Sequence, residues 1–160
     1  MPDQAHNAED TLDLTRFLAL ERVSVQWAGF LLVLSAALAE QLSPAEYRHF
    51  LLRLGERFAD EHPLAAVEGL EALEQVINAV WQPMAWGYVN LTDQGGSLLV
   101  VHRACPLPAA LQAGPDVVGG FLEGVYSTWL KAAGAPPELQ LSQLPESGAP
   151  MHMAFELKAG

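Results

Sequence analysis

The chain has 160 residues, 51% hydrophobic and 17% charged, a composition that suits one globular domain burying its own core without disulfides or metal. Eight Lys plus Arg against 19 Asp plus Glu leave a formal charge of −11, which repels nucleic acid and disfavours anionic lipid, since binding either needs basic side chains against its phosphates. Cys105 is the single cysteine, so no intramolecular disulfide can form, in keeping with a reducing compartment.

Residues 1–10 are read as flexible. The opening "MPDQAHNAEDTLDLTRF" is acidic and polar where a secretory signal needs a basic start and an apolar core, so general export is not expected. Helical periodicity begins near Thr11, is strong by Arg22 and ends at Leu42. From Val23 to Leu38 it is almost uniformly apolar, interrupted by Ser24, Gln26 and Ser35. That run falls short of the roughly 18 to 20 residues that a bilayer demands, and it lacks an aromatic and basic girdle. A soluble helix apolar on nearly every side must be covered on most of them. In so small a chain another copy of the protein is the expected cover, with Trp27, Phe30, Leu31 and Leu34 as interface candidates.

"SPAE" restarts a helix, with Ser43 as N-cap, Pro44 at the first position and Glu46 completing a capping box. Tyr47, Phe50, Leu51, Leu54 and Phe58 form its apolar stripe, and Arg48, Arg53, Glu56 and Arg57 lie outside it. After the break at Pro63, a third helix carries Leu64, Val67, Leu70, Leu73, Val76, Ile77 and Val80. "MAWGYVNL" and "LLVVH", joined by "TDQGGS", read as an antiparallel hairpin. "CPLPAALQAGP" reads as a loop. A fourth helix follows from about Asp116 to Ala133, burying Val118, Phe121, Leu122, Val125, Tyr126 and Trp129. Its Gly119, Gly120 and Gly124 weaken helix propensity and imply close approach by another backbone. "LQLSQL" and "MHMAFELK" form a second hairpin around "PESGAP". The fold class is α+β: three N-terminal helices, then an antiparallel hairpin, a helix and a hairpin, in one domain spanning 1–160.

Candidate chemistry is sparse. His102 and Cys105 are three apart, but alternation at a strand end and the intervening Pro106 argue against a nucleophile–base pair. Met151, His152 and Met153 resemble a soft-metal run, yet strand alternation splits them between two faces. Glu68, Glu71 and Glu74 form an i, i+3 row that could run glycoside chemistry or mark a solvated face. Trp27, Trp81, Trp86 and Trp129 could stack on sugars, but their apolar settings favour packing. No catalytic, cofactor-binding or metal-ligating residue is assigned.

Three blocks in order carry a family resemblance: "LEALEQVINAVWQPMAWGYVNL", "LLVVHRACPLP" and "FLEGVYSTWL". They resemble the D subunit of bacterial cellulose synthase, through Trp86, Gly87, Tyr88, His102, Glu123, Gly124, Tyr126 and Trp129. The resemblance implies a non-enzymatic accessory protein without a cofactor, assembled as a homo-octamer of four dimers. It further implies that nascent β-1,4-glucan is guided or bundled, or that membrane cellulose synthase complexes are organised, with a proline-rich accessory protein as a partner type. The lack of an export signal in the opening residues favours a cytoplasmic position near the inner membrane, with the periplasm as the alternative. In the family the N-terminal segment lines glucan channels; its motif is not matched here, so no glucan-contacting residue is carried over. The alternative is an acidic dimeric secretion chaperone binding an unfolded exported segment. Such chaperones usually open with one helix before strands, and three helices here count against it. An enzyme using the acidic row is the third reading.

Overall fold

The computed structural model describes residues 14, 17–18, 21, 23–145 and 151–160; the expectation of a loose segment over residues 1–10 lies outside them. The elements in order are α1 (Val25–Gln41), α2 (Pro44–Glu61), α3 (Leu70–Met84), β1 (Tyr88–Asp93), β2 (Leu98–Arg103), α4 (Leu107–Leu111), α5 (Pro115–Ala132), β3 (Leu139–Gln143) and β4 (His152–Ala159). Each pairing in the four-stranded sheet is antiparallel, in the order β1-β2-β4-β3. The two hairpins thus lie side by side, joined through β2 and β4. The fold is α+β, as the order of the sequence patterns predicts.

α5 is the central element, with α2 on one side and β3 and β4 on the other. Its buried residues include Val118, Phe121, Leu122, Val125, Tyr126 and Trp129. The α2–α5 contact is a glycine seam: a Cβ on Gly120 would collide with the Arg48 carbonyl, one on Gly124 with the Leu52 carbonyl, and one on Gly55 with the Phe121 carbonyl. Removing Cβ atoms from both helices brings their backbones together. Gly119 departs from the expectation, since its neighbour is the Gln143 side chain and not a backbone.

The seam also corrects the face assigned to α2. Its buried residues are Tyr47, Leu51, Gly55 and Ala59, spaced by four, while Phe50 and Leu54 are exposed. Arg48, read as an outer residue, is half-buried and pairs with Glu123 of α5. Small residues win the contact face because only they allow this approach. The capping box at Ser43 and Glu46 forms as predicted, with Ser43 Oγ accepting from the Glu46 N–H and Glu46 Oε2 accepting from the Ser43 N–H.

Three further expectations need correction. Leu14, Phe17, Leu18 and Glu21 are helical, but Val23 and Ser24 are not, so the first helical stretch is broken before α1; the remaining residues before Val23 lie outside the described set. α3 begins at Leu70 and not near Leu64, because Gly69 precedes it at φ 88°, a left-handed value that starts the helix afresh. The "CPLPAALQAGP" loop contains the short α4: Pro108 sits where the N–H would go unused, Ala109 and Ala110 are buried good helix formers, and Gln112 ends it in the left-handed region. Residues 146–150 of the expected "PESGAP" turn lie outside the described residues.

The outer edge of β1 is closed by α3. Asn78 pairs both ways with the Val89 backbone, its Nδ2 donating to the carbonyl at 2.9 Å and its Oδ1 accepting from the N–H at 2.7 Å. Glu74 Oε2 accepts from the Leu91 N–H at 2.7 Å. These side chains stand in for a fifth strand and remove an edge that could pair with another chain.

Candidate assembly surface and the buried motif network

α1 is apolar all round and attached along a narrow line. Ser35 is its one buried residue; its hydroxyl donates to the Leu111 carbonyl at 2.6 Å and accepts from the Tyr47 hydroxyl at 3.0 Å. Leu38 and Leu42 continue that line against the core. Apart from the half-buried Ala28 and Leu31, the rest of the helix is exposed. Trp27 is 55% exposed, Phe30 58% and Leu34 41%, with Val25, Leu32 and Val33 exposed beside them. Trp27 and Phe30 meet edge to face with ring centres 6.0 Å apart. Of the four interface candidates, Leu31 alone is half-buried. Single exposed apolar residues need no explanation, but a contiguous run of this size marks an interaction surface.

The residues carrying the family resemblance lie elsewhere, and several meet in one buried chain of hydrogen bonds. Trp81 Nε1–H donates to the Tyr126 hydroxyl oxygen at 3.1 Å. The Tyr126 O–H donates in turn to His102 Nδ1, and His102 Nε2–H donates to the Trp86 carbonyl at 2.7 Å. Every donor in the chain has an acceptor, and the two partners of His102 fix its tautomer. Burial holds the imidazole neutral, with its pKa lowered to about 4, and pushes the Tyr126 phenol well above its ordinary value. Trp81, Trp86 and Phe58 stack nearly parallel beside this chain, with ring centres 5.6 to 6.0 Å apart.

The remaining motif residues hold junctions. Glu123 Oε2 accepts from Arg48 Nη2 at 2.8 Å and from the Gln143 N–H at 3.0 Å, tying α2, α5 and β3 together. Trp129 Nε1–H donates to the His62 carbonyl at 2.9 Å, holding the end of α2. Gly87 takes φ 85° where a Cβ would strike the Arg103 carbonyl. Tyr88 is the exception, exposed on the open side of β1. Reading the sequence alone missed Arg48 and Gln143 as junction partners and Trp81 as a hydrogen-bond donor. A signal existed for Arg48, which borders the buried Tyr47 on a helix facing Glu123.

The candidate catalytic and metal-binding groups do not come together in the geometry each would need. Both nitrogens of His102 are engaged, leaving none for Cys105, whose thiol is fully buried and pushed up to about 12. A thiol so shielded is not a nucleophile. Glu68 lies before α3 and Glu74 serves the β1 edge, so the acidic row is not one helical face. Met153 is buried and His152 points to the other side of β4; Met151 precedes the strand at φ 60°. Trp81 and Trp129 are buried and Trp86 is half-buried, in line with packing, whereas Trp27 is 55% exposed on α1 and corrects the expectation that its apolar setting buries it. Among the described residues no cluster of His, Cys, Asp or Glu is placed to hold a metal, and no helix is long and apolar enough to cross a membrane.

The family model for the D subunit of cellulose synthase matches residues 13–156. The chain belongs to the cellulose synthase D-subunit family. It therefore stands among the accessory proteins of cellulose synthesis, and the match extends across all nine elements described above except the last residues of β4. No curated protein matches the chain. Family membership lends nothing to the secretion-chaperone alternative.

Proposed function

We propose that this member of the cellulose synthase D-subunit family is a non-catalytic scaffold that assembles through α1 into a ring-shaped octamer of four dimers. The ring guides or bundles nascent β-1,4-glucan or organises membrane cellulose synthase complexes. It works on the cytoplasmic side near the inner membrane, with a proline-rich accessory protein as a further partner. One observation carries the reading: α1 exposes Trp27, Phe30 and Leu34 while only Ser35 is buried. A helix with no polar face has no stable solvent-facing orientation, and burying its large side chains stabilises by about 1.5 to 3 kcal/mol each. A second copy of the same helix satisfies it symmetrically, as isologous dimers do. The net charge of −11 is compatible with a neutral glucan.

Light scattering on a sizing column tests this. The expected mass is eight times 17.3 kDa. Leu34→Glu should reduce it to a smaller species that keeps its circular dichroism, because a carboxylate buried in an apolar contact costs several kcal/mol. An unchanged mass for Leu34→Glu would remove α1 from the interface. A dimeric unmodified protein would revive a chaperone-like role.

A further inference from the structure

The sheet has two unlike faces. Val89, Leu91, Val100, His102, Met153 and Phe155 are buried on the inner one. Strand alternation therefore places Tyr88, Asn90, Arg103 and His152 on the outer one, where they are exposed or half-buried. Register puts Tyr88 opposite Arg103 and Arg103 opposite His152. The three form a row across β1, β2 and β4, on the order of 10 Å long at the usual strand spacing.

Hydrogen bonds organise the row. Arg103 Nε–H donates to Asn90 Oδ1 at 2.9 Å, and Arg103 Nη1–H donates to His152 Nδ1 at 3.3 Å. With Nδ1 accepting, the His152 proton sits on Nε2. Burial and the neighbouring guanidinium lower its pKa and favour this neutral form. Among the described residues Arg103 joins no salt bridge. The carboxylate on this face, Glu156, is engaged by Lys158 and Ser97. Tyr88 is 46% exposed at one end of the row. At the other end, beyond the row itself, His152 and Ala154 border a pocket that continues past Asp116 to Gln143 and Arg48.

The row therefore offers one aromatic face and several hydrogen-bond donors held in a line, with no free carboxylate among them. A sugar ring matches this: its C–H face covers an aromatic ring, and its rim of hydroxyls both donates and accepts. An anionic chain would bind through its charge, for which the row has one cation on a protein of net charge −11. A line open at both ends suits a polymer better than a small molecule. We propose that the outer sheet face is a β-1,4-glucan-binding track in which the Tyr88 ring stacks on one glucose unit and Asn90, Arg103 and His152 hydrogen-bond the next. This deepens the scaffold reading and rests on its claim that the protein handles glucan.

Isothermal titration of the full chain with cellohexaose tests the track, using Tyr88→Ala, Tyr88→Phe and Arg103→Gln. Circular dichroism and light scattering on each variant report fold and assembly. Loss of the aromatic face in Tyr88→Ala should weaken binding by about tenfold or more, and Tyr88→Phe, which keeps the ring, should restore most of it. Arg103→Gln should weaken binding with the mass unchanged. If both Tyr88→Ala and Arg103→Gln bind as the unmodified protein does, the track is refuted while glucan handling stands. If the unmodified protein binds no cellohexaose, the track falls and the glucan-guiding part of the scaffold reading falls with it. If Tyr88→Ala lowers the mass, the face is a contact between protomers and the track is again refuted.

Discussion

His102 should make this protein acid-sensitive by a calculable amount. The folded state holds the imidazole neutral with a pKa of about 4, against 6.5 for an ordinary histidine. Between those values the unfolded chain binds a proton that the native state does not. The contribution is therefore complete above the unfolded pKa and is lost as pH falls towards the folded one. Linkage gives about 1.4 kcal/mol per pH unit inside that window, or about 2.5 kcal/mol between about pH 7.5 and 4.5. Carboxylates also titrate on the way down, so the test is a difference. Urea unfolding, followed by tryptophan fluorescence, would be measured across this range for the unmodified protein and for His102→Gln. At neutral pH the variant should be the weaker by about 1 to 3 kcal/mol, because the Tyr126 hydroxyl or the Trp86 carbonyl loses its partner. On acidification the two stability curves should converge. Parallel curves would refute the reasoning, showing that His102 takes up its proton equally in the native and unfolded states.

Other outcomes follow from the packing. Gly124→Ala should lower the urea midpoint, since a methyl against the Leu52 carbonyl forces α2 and α5 apart at a cost of about 1 to 3 kcal/mol, more than the roughly 1 kcal/mol gained in helix propensity; an unchanged midpoint would mean the seam is loose. Cys105 should resist iodoacetamide at about pH 8 in the native protein and react at once in denaturant, because thiolate formation is suppressed by burial. Native labelling at the rate of a free thiol would show that the α4 region opens readily. Asn78→Ala should destabilise by about 1 to 3 kcal/mol through the unpaired Val89 backbone, and light scattering at high concentration should show added self-association through the uncovered β1 edge.

What the sequence determined was local. The Ser43 capping box, Pro44 at a helix start, the alternation of β1 and β2, and the apolar side of α5 each depend on neighbours within a turn or a hairpin. The α1 run announced that it needed cover, because a helix without a polar face states its burial in composition alone. Tertiary structure decided the rest. Phe50 and Leu54 fitted an apolar stripe by spacing, yet Gly55 and Ala59 took the contact, because how closely two helices approach depends on what both of them present. α4 hid between prolines because its stability comes from burying Ala109 and Ala110 against other elements. The chain from Trp81 through Tyr126 and His102 to the Trp86 carbonyl joins residues up to 45 positions apart. No local pattern encodes such a chain, since each polar group becomes costly, and so needs its partner, only once the fold has removed it from water.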